Sequence, residues 1–229
     1  MLVQLLTHTP DPEQVVAAAA RLCYSDASID RLLEKSRDDH AGLLAKILDL
    51  GHFSVLEHAS FTFGIEGISR ACSHQLVRHR IASFSQQSQR YVPVREALAA
   101  VTPPTIAAQP ALAARYAGLL EECQRVYGEL VAAGIPAEDA RFVLPNAAAT
   151  KLVMTMNARE LHHFFELRCC RRAQWEIRAM AVAMLAACKR TAPLLFPEAG
   201  PGCLRGACPE GKMTCGEAAA VRKEFKEMM

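Results

Sequence analysis

The sequence predicts a single α+β domain with a small sheet and several long helices. Apolar residues alternate over Phe61, Phe63 and Ile65, and again over Leu152, Met154 and Met156, the period-two pattern of half-buried strands. Around them lie longer stretches with helix start and stop signals, which outnumber the strands. The 229 residues are 51% hydrophobic with a mean hydropathy of +0.08, enough for a substantial core, and no internal repeat or long linker divides them.

Taken in order, Asp11-Pro12-Glu13 marks a helix start, with Asp as cap and Pro at the first helical position, running to about Cys23. A second helical region fills Ser28 to Leu50 and stops at Gly51. After the first strand, Ile68 to Val77 forms a short helix that places Gln75 and Arg78, three apart, on one face. The Ser/Gln-rich stretch that follows has too few apolar residues for a core strand and is extended or looped. Thr102-Pro103-Pro104 breaks the chain, and a long helix runs from about Pro110 to Ala133, closed by Gly134. The chain restarts at Pro136, and Pro145 ends the short piece carrying Arg141. Beyond the second strand, Asn157 and Glu160 make an approximate capping box for a helix reaching as far as Arg190, before Pro193. Residues 1–195 are expected to form the catalytic domain and 196–229 a cysteine-bearing tail.

Composition excludes several classes. A net charge of +2 is too small for bulk nucleic-acid binding, and there is no basic stripe to support a groove-reading helix at Ser69 to Arg80. No apolar run reaches membrane-spanning length; Ala179 to Cys188 is too short. The start, Met1-Leu2-Val3-Gln4, lacks the features of a secretory signal, so a soluble cytoplasmic protein is expected. Nine cysteines in such a protein do not suggest a disulfide framework; Cys23, Cys72, Cys123 and Cys188 read as small core residues. In the tail, Cys203, Cys208 and Cys215 are separated by four and six residues, not the two of strong zinc sites. Zinc there would need a fourth ligand such as Cys169 or Cys170; otherwise these are reduced thiols in a partly extended tail. Glu160-x-x-His163 resembles half of a di-iron motif whose second half is missing. No metal is therefore assigned to the site.

The chemistry concentrates in Arg78 to Tyr91. Its fourteen positions hold three arginines, a histidine, three serines, three glutamines and no acid. A core element could not bury so many donors without partners, whereas arginine forks grip phosphate or carboxylate and hydroxyl and amide groups read a ring edge. A phosphorylated, planar ligand follows. Arginines outnumber lysines nineteen to seven; a GC-rich genome explains that bias equally well, though not the clustering at Arg78, Arg80 and Arg90. No Ser-His-Asp or Cys-His pair is evident, so catalysis is expected from binding and electrostatics rather than from a protein nucleophile.

Arg78-His79-Arg80, seven residues, then Ser88, with Arg90 following, resembles the signature of flavin-dependent thymidylate synthases. The resemblance extends to Gly51-His52, Glu57-His58, Phe61-Thr62-Phe63, Ala140 to Pro145, Asn157-Ala158-Arg159, Leu167-Arg168 and Ala173 to Glu176. It implies methylation of dUMP to dTMP, with methylenetetrahydrofolate as carbon donor, FAD as the hydride carrier and NADPH as reductant. It further implies a homotetramer with active sites shared between subunits. The nucleotide would be held by Gln75, Arg78, Gln86, Gln87, Ser88, Gln89, Arg90, Arg141 and Arg168. FAD would be held by Ser54, Arg78, His79, Arg80, Gln86, Asn157, Arg159 and His163.

Arg168 is the catalytic candidate: placed at the uracil N3 and O2 edge, its guanidinium would stabilise negative charge on the activated ring. It stays protonated, so it cannot act as a base. Asn157 is equally a helix cap and a ligand contact, and Arg159 and His163, four apart, share a helix face. His52 and Glu57 either line the flavin or folate side or serve the core and helix ends. Gln86 and His163 depart from residues seen in some members, Glu and Asn. Within the same reading of the residues, the alternative is a flavin-dependent nucleotide-binding oxidoreductase with another substrate.

Overall fold

The computed structural model describes residues 1–38, 40–94 and 97–227. In chain order the elements are β1 (Leu2–His8), α1 (Pro12–Leu22), α2 (Ile29–Asp38), α3 (Ala41–Asp49), β2 (Ser60–Ser69), α4 (Arg70–Leu76) and β3 (Ala82–Gln86). They continue with α5 (Pro104–Ala107), α6 (Pro110–Ala132), α7 (Ala137–Ala140), β4 (Ala149–Asn157), α8 (Ala158–Arg168), α9 (Trp175–Thr191) and α10 (Ala218–Glu227). The strands form one four-stranded sheet in the order β1-β2-β4-β3, so the α+β expectation stands. The Ser/Gln-rich stretch is the edge strand β3, where a polar segment with few apolar side chains is tolerated.

The described chain resolves into two compact units, each drawn from several stretches of sequence. The first comprises residues 1–2, 65–78 and 84–153; the second comprises 3–64, 79–83 and 154–229. In the first unit, Arg70 N and Ala71 N donate to Ala148 O and Asn146 O, tying the start of α4 to the entry of β4. The α6 helix buries Tyr127, whose hydroxyl accepts from Val94 N at 3.3 Å.

In the second unit, Phe61, Phe63, Met154 and Met156 alternate inward from β2 and β4 and are fully or almost fully buried, as the period-two pattern predicts. Phe61 and Phe165 meet Phe196 edge-on, at ring separations of 5.4 and 6.1 Å. Thr62 and Thr155 hydroxyls share a 2.9 Å hydrogen bond across the same strands.

Several helix boundaries differ from expectation. Asp11 does not cap α1 with its side chain; it sits in the left-handed region at φ 43°, and Pro12 alone sets the start. The region expected as one helix from Ser28 to Leu50 is two, α2 and α3, with position 39 outside the described residues. His40 explains the new start: its Nδ1 lies 2.8 Å from Ser36 O, and its carbonyl accepts from Leu44 N. Gly51, at φ 70°, does end α3. Arg78 lies beyond α4, whose last residue is Leu76, so it does not share a helix face with Gln75.

The helix expected to run from Asn157 to Arg190 is also two. Asn157 caps α8 through Oδ1 to Glu160 N at 2.9 Å, but α8 stops at Arg168. Gln174 Oε1 then caps α9 by accepting from Glu176 N and Ile177 N. The tail is not extended. Its helix α10 buries Val221 and Phe225, Glu224 takes Arg171 and Arg178, and Arg222 donates to Cys203 O and Gly206 O.

Candidate active site

Each unit carries part of the expected site. In the first, α7 supplies an acid that the sequence did not single out. Glu138 Oε2 receives Arg90 Nε at 2.7 Å, while Glu138 O accepts from Arg141 Nε at 3.0 Å. One residue thus holds two of the expected nucleotide arginines. Arg70, also not singled out, donates from Nη2 to Gln87 O at 3.0 Å. Burial, and then the charge of Arg141, push its guanidinium below its ordinary pKa. Of the three arginines only Arg90 takes the carboxylate, while Arg70 and Arg141 bond main-chain carbonyls, which leaves an excess of positive charge, the condition for gripping an anion.

Gln87, Ser88 and Gln89 line a cavity of about 480 Å³ together with Arg70 and Thr150. Arg90 N donates to Ser88 Oγ at 3.1 Å, which folds this turn, and the Arg90 guanidinium stands 5.3 Å from the Tyr91 ring. Gln86 is committed inward: its amide nitrogen donates to Ser73 Oγ at 3.0 Å and to Thr150 Oγ1 at 3.2 Å. Gln75 bonds back to Ala71 O of its own helix, and Arg78 is exposed just past the helix end.

In the second unit, Asn157, Arg159 and His163 line a cavity of about 470 Å³, with Phe53, His162 and Arg205. Arg159 and His163 therefore do share a face, and Arg159 is paired with Glu57. Asn157 is both cap and lining residue. His52, Ser54 and Arg80 are exposed and are not among the lining residues.

His162 stacks between Phe53 and Phe196 and bonds from Nε2 to Leu195 O at 2.8 Å. Burial lowers it to about 4, so the ring is neutral and its proton sits on Nε2. Its Nδ1 is then a buried acceptor with no partner among the described residues.

His79 and Arg168 meet in the same unit. Arg168 Nε donates to His79 Nε2 at 3.0 Å, and His79 Nδ1 lies 3.1 Å from Glu160 Oε1. His79 is only 5% exposed, and burial, then the charges of Arg168 and His163, lower it to about 4. The 3.1 Å contact has the spacing of an ion pair, but the ring is neutral: arginine only donates, so Nε2 must keep its lone pair.

Among the described residues, no three His, Cys, Asp or Glu side chains are placed to hold a metal ion. In the tail, burial and the neighbouring Cys208, Cys170 and Cys215 push the Cys203 thiol above its ordinary value.

Compared with known proteins, the chain belongs to the family described as thymidylate synthase complementing protein, whose model matches residues 4–194. Within it, the chain is 62% identical over 230 residues to a flavin-dependent thymidylate synthase of Geobacter sulfurreducens, covering 100% of this chain and 99% of that one. It is 52% identical over 230 residues to the enzyme of that name from Nitratidesulfovibrio vulgaris, covering 93% and 94%. The fold is similar to a crystal structure of a UMP/dUMP methylase from Streptomyces cacaoi bound with 5-Br dUMP. The TM-score is 0.71 at 26% identity, over 86% of this chain and 93% of that one.

Proposed function

We propose that this protein methylates dUMP at C5 to give dTMP, taking a methylene group from methylenetetrahydrofolate. The observation that carries this is the cradle in which Arg70 and the Gln87-Ser88-Gln89 turn line one cavity, with Arg90 directly after the turn and Arg141 sharing Glu138 with it, in a chain so close to enzymes of that name. A nucleoside monophosphate offers what the cradle lacks: a dianion for the arginines and a ring edge for amides and hydroxyls.

The second-unit cavity is the candidate site for FAD. Arg159 and Arg205 line it, each paired with an acid of the same lining, Glu57 and Glu166; Glu160 adds a third carboxyl, Phe53 an apolar wall, and the buried His162 Nδ1 is an acceptor with no partner among the described residues. The group would supply, in its reduced form, the hydride that completes the methyl group, with NADPH as the reductant of the flavin. Asn157, Arg159 and His163 would hold it from the lining; Ser54, Arg78, His79, Arg80 and Gln86 are the further contacts the family resemblance implies, His79 through its main chain because both ring nitrogens are engaged.

Gln75, Arg78, Gln86, Gln87, Ser88, Gln89, Arg90, Arg141 and Arg168 hold dUMP. Arg168 stabilises the charge that develops on the ring, worth about 100-fold in rate. Sites shared within a homotetramer, with folate and NADPH as co-substrates in the cytoplasm, complete the proposal. No helix among the described residues is long and apolar enough to cross a membrane.

The test is tritium release from C5-labelled dUMP with methylenetetrahydrofolate, NADPH and FAD, for wild type and Arg168→Ala. Release by wild type and a drop of about 100-fold or more in the variant is expected. Equal release by both would keep the reaction and remove Arg168 from it. No release by flavin-loaded wild type would favour a flavin-dependent oxidoreductase acting on another nucleotide.

A further inference from the structure

Glu160, Phe164 and Arg168 recur every four residues and so lie along one face of α8. His79, from the Arg78-His79-Arg80 motif, is laid against that face. Its ring meets Phe164 edge-on at 4.9 Å and touches the polar residue on either side, Glu160 through Nδ1 and Arg168 through Nε2. Over eight helical residues the axis rises about 12 Å, and the two long side chains reach inward to a single imidazole.

We infer that Glu160 and His79 are positioning residues for Arg168: Glu160 fixes the tautomer of His79, and His79 fixes the guanidinium plane through Nε. This rests on the proposed role of Arg168 at the uracil ring.

Each bond admits one direction of donation. Arg168 has donors only, so His79 Nε2 accepts; the neutral ring then carries its proton on Nδ1, and the Glu160 carboxylate accepts it. Nε lies in the guanidinium plane, so a bond at Nε restricts rotation of the whole fork. The ring is neutral because it is buried and faces the Arg168 guanidinium, with Glu160 the only acid it touches among the described residues. An imidazolium would lose the Nε2 lone pair and repel Arg168. Glu160, 6% exposed, is held above the ordinary carboxylate range by burial. A buried carboxylate is costly unless it serves a partner, and the partner here is His79 Nδ1.

The experiment compares the FAD-loaded Glu160→Gln, Glu160→Leu, His79→Phe and Arg168→Ala proteins with wild type. Tritium release from labelled dUMP gives kcat and KM, calorimetric titration with dUMP gives Kd, and the flavin absorbance ratio reports folding and loading. Glu160→Gln keeps an oxygen to accept from Nδ1; Glu160→Leu does not. The expected result is a kcat loss of about 10- to 100-fold in Glu160→Leu and His79→Phe, with near-normal flavin content and dUMP Kd, and recovery of most of the rate in Glu160→Gln.

Wild-type kcat in Glu160→Leu, beside a large loss in Arg168→Ala, would overturn the inference and keep the role of Arg168. Equal losses in Gln and Leu variants, together with lost flavin, would assign Glu160 to the fold and also overturn it. An active Arg168→Ala would instead remove the reading on which the inference rests.

Discussion

His162 and His79 show how burial sets protonation residue by residue. Burial takes His162 from an ordinary 6.5 to about 4, only partly countered by its bond to Leu195 O. Between those pH values the unfolded chain binds a proton that the folded chain refuses. Stability therefore falls as pH drops through that window, by on the order of 3 kcal/mol for a fully neutral ring. His79 acts in the same sense, whereas the raised Glu160 carboxyl acts in the opposite one, losing its contribution as pH rises. His162→Phe keeps the stack on Phe53 and Phe196 and should flatten the fall in Tm between pH 6.5 and 4. A slope unchanged from wild type would mean that this ring is not its source. Unlike Arg70, which lies outside the signature, the candidate arginines Arg78, Arg80 and Arg90 were legible in the sequence from their type and spacing. Their partners were not: Glu138 is 48 residues from Arg90 and Glu160 is 81 from His79, and no local pattern announces such pairs.

At the scale of elements, β2 and β4 were read more faithfully than the helix ends, whereas β1 was not read at all and β3 only as extended or looped. Alternating Phe and Met positions fix β2 and β4 because one face must be buried, whatever the turns do. The break between α8 and α9 escaped because Cys169-Cys170-Arg171-Arg172 contains neither Gly nor Pro, and because Gln174 is an uncommon cap. The same holds for α2 and α3, parted at His40. The caps then become measurable. Asn157→Ala and Gln174→Ala should each cost about 1 kcal/mol in urea unfolding, since each strands a backbone N–H that its oxygen now satisfies. A cost near zero for Gln174→Ala would show that the turn, and not its side chain, starts α9.

On the scale of the whole molecule, the tail belongs to the second unit. Val221 and Phe225 are buried, and burying side chains of that size contributes roughly 1.5–3 kcal/mol each. Glu224 adds a clamp on Arg171 and Arg178, just past α8 and within α9. A chain ending at residue 199 should melt several degrees lower by circular dichroism; an unchanged Tm would make the tail an independent appendage. Phe225→Ala alone should cost about 3 kcal/mol or more. The tail's cysteines caught attention in the sequence, but its helix and its acids anchor it.

The interleaving of the two units also constrains how the chain emerges from a ribosome. The second unit begins at residue 3 yet needs residues 154 onward for β4's far end, α8 and α9, and the first unit is not complete before residue 153. Neither can close while the early helices are being made. Nascent α1 to α3 therefore wait, with apolar faces uncovered, until well over two thirds of these 229 residues have been synthesised. Contacts so distant in sequence favour slow, late consolidation and make this interval the one in which a chaperone would matter.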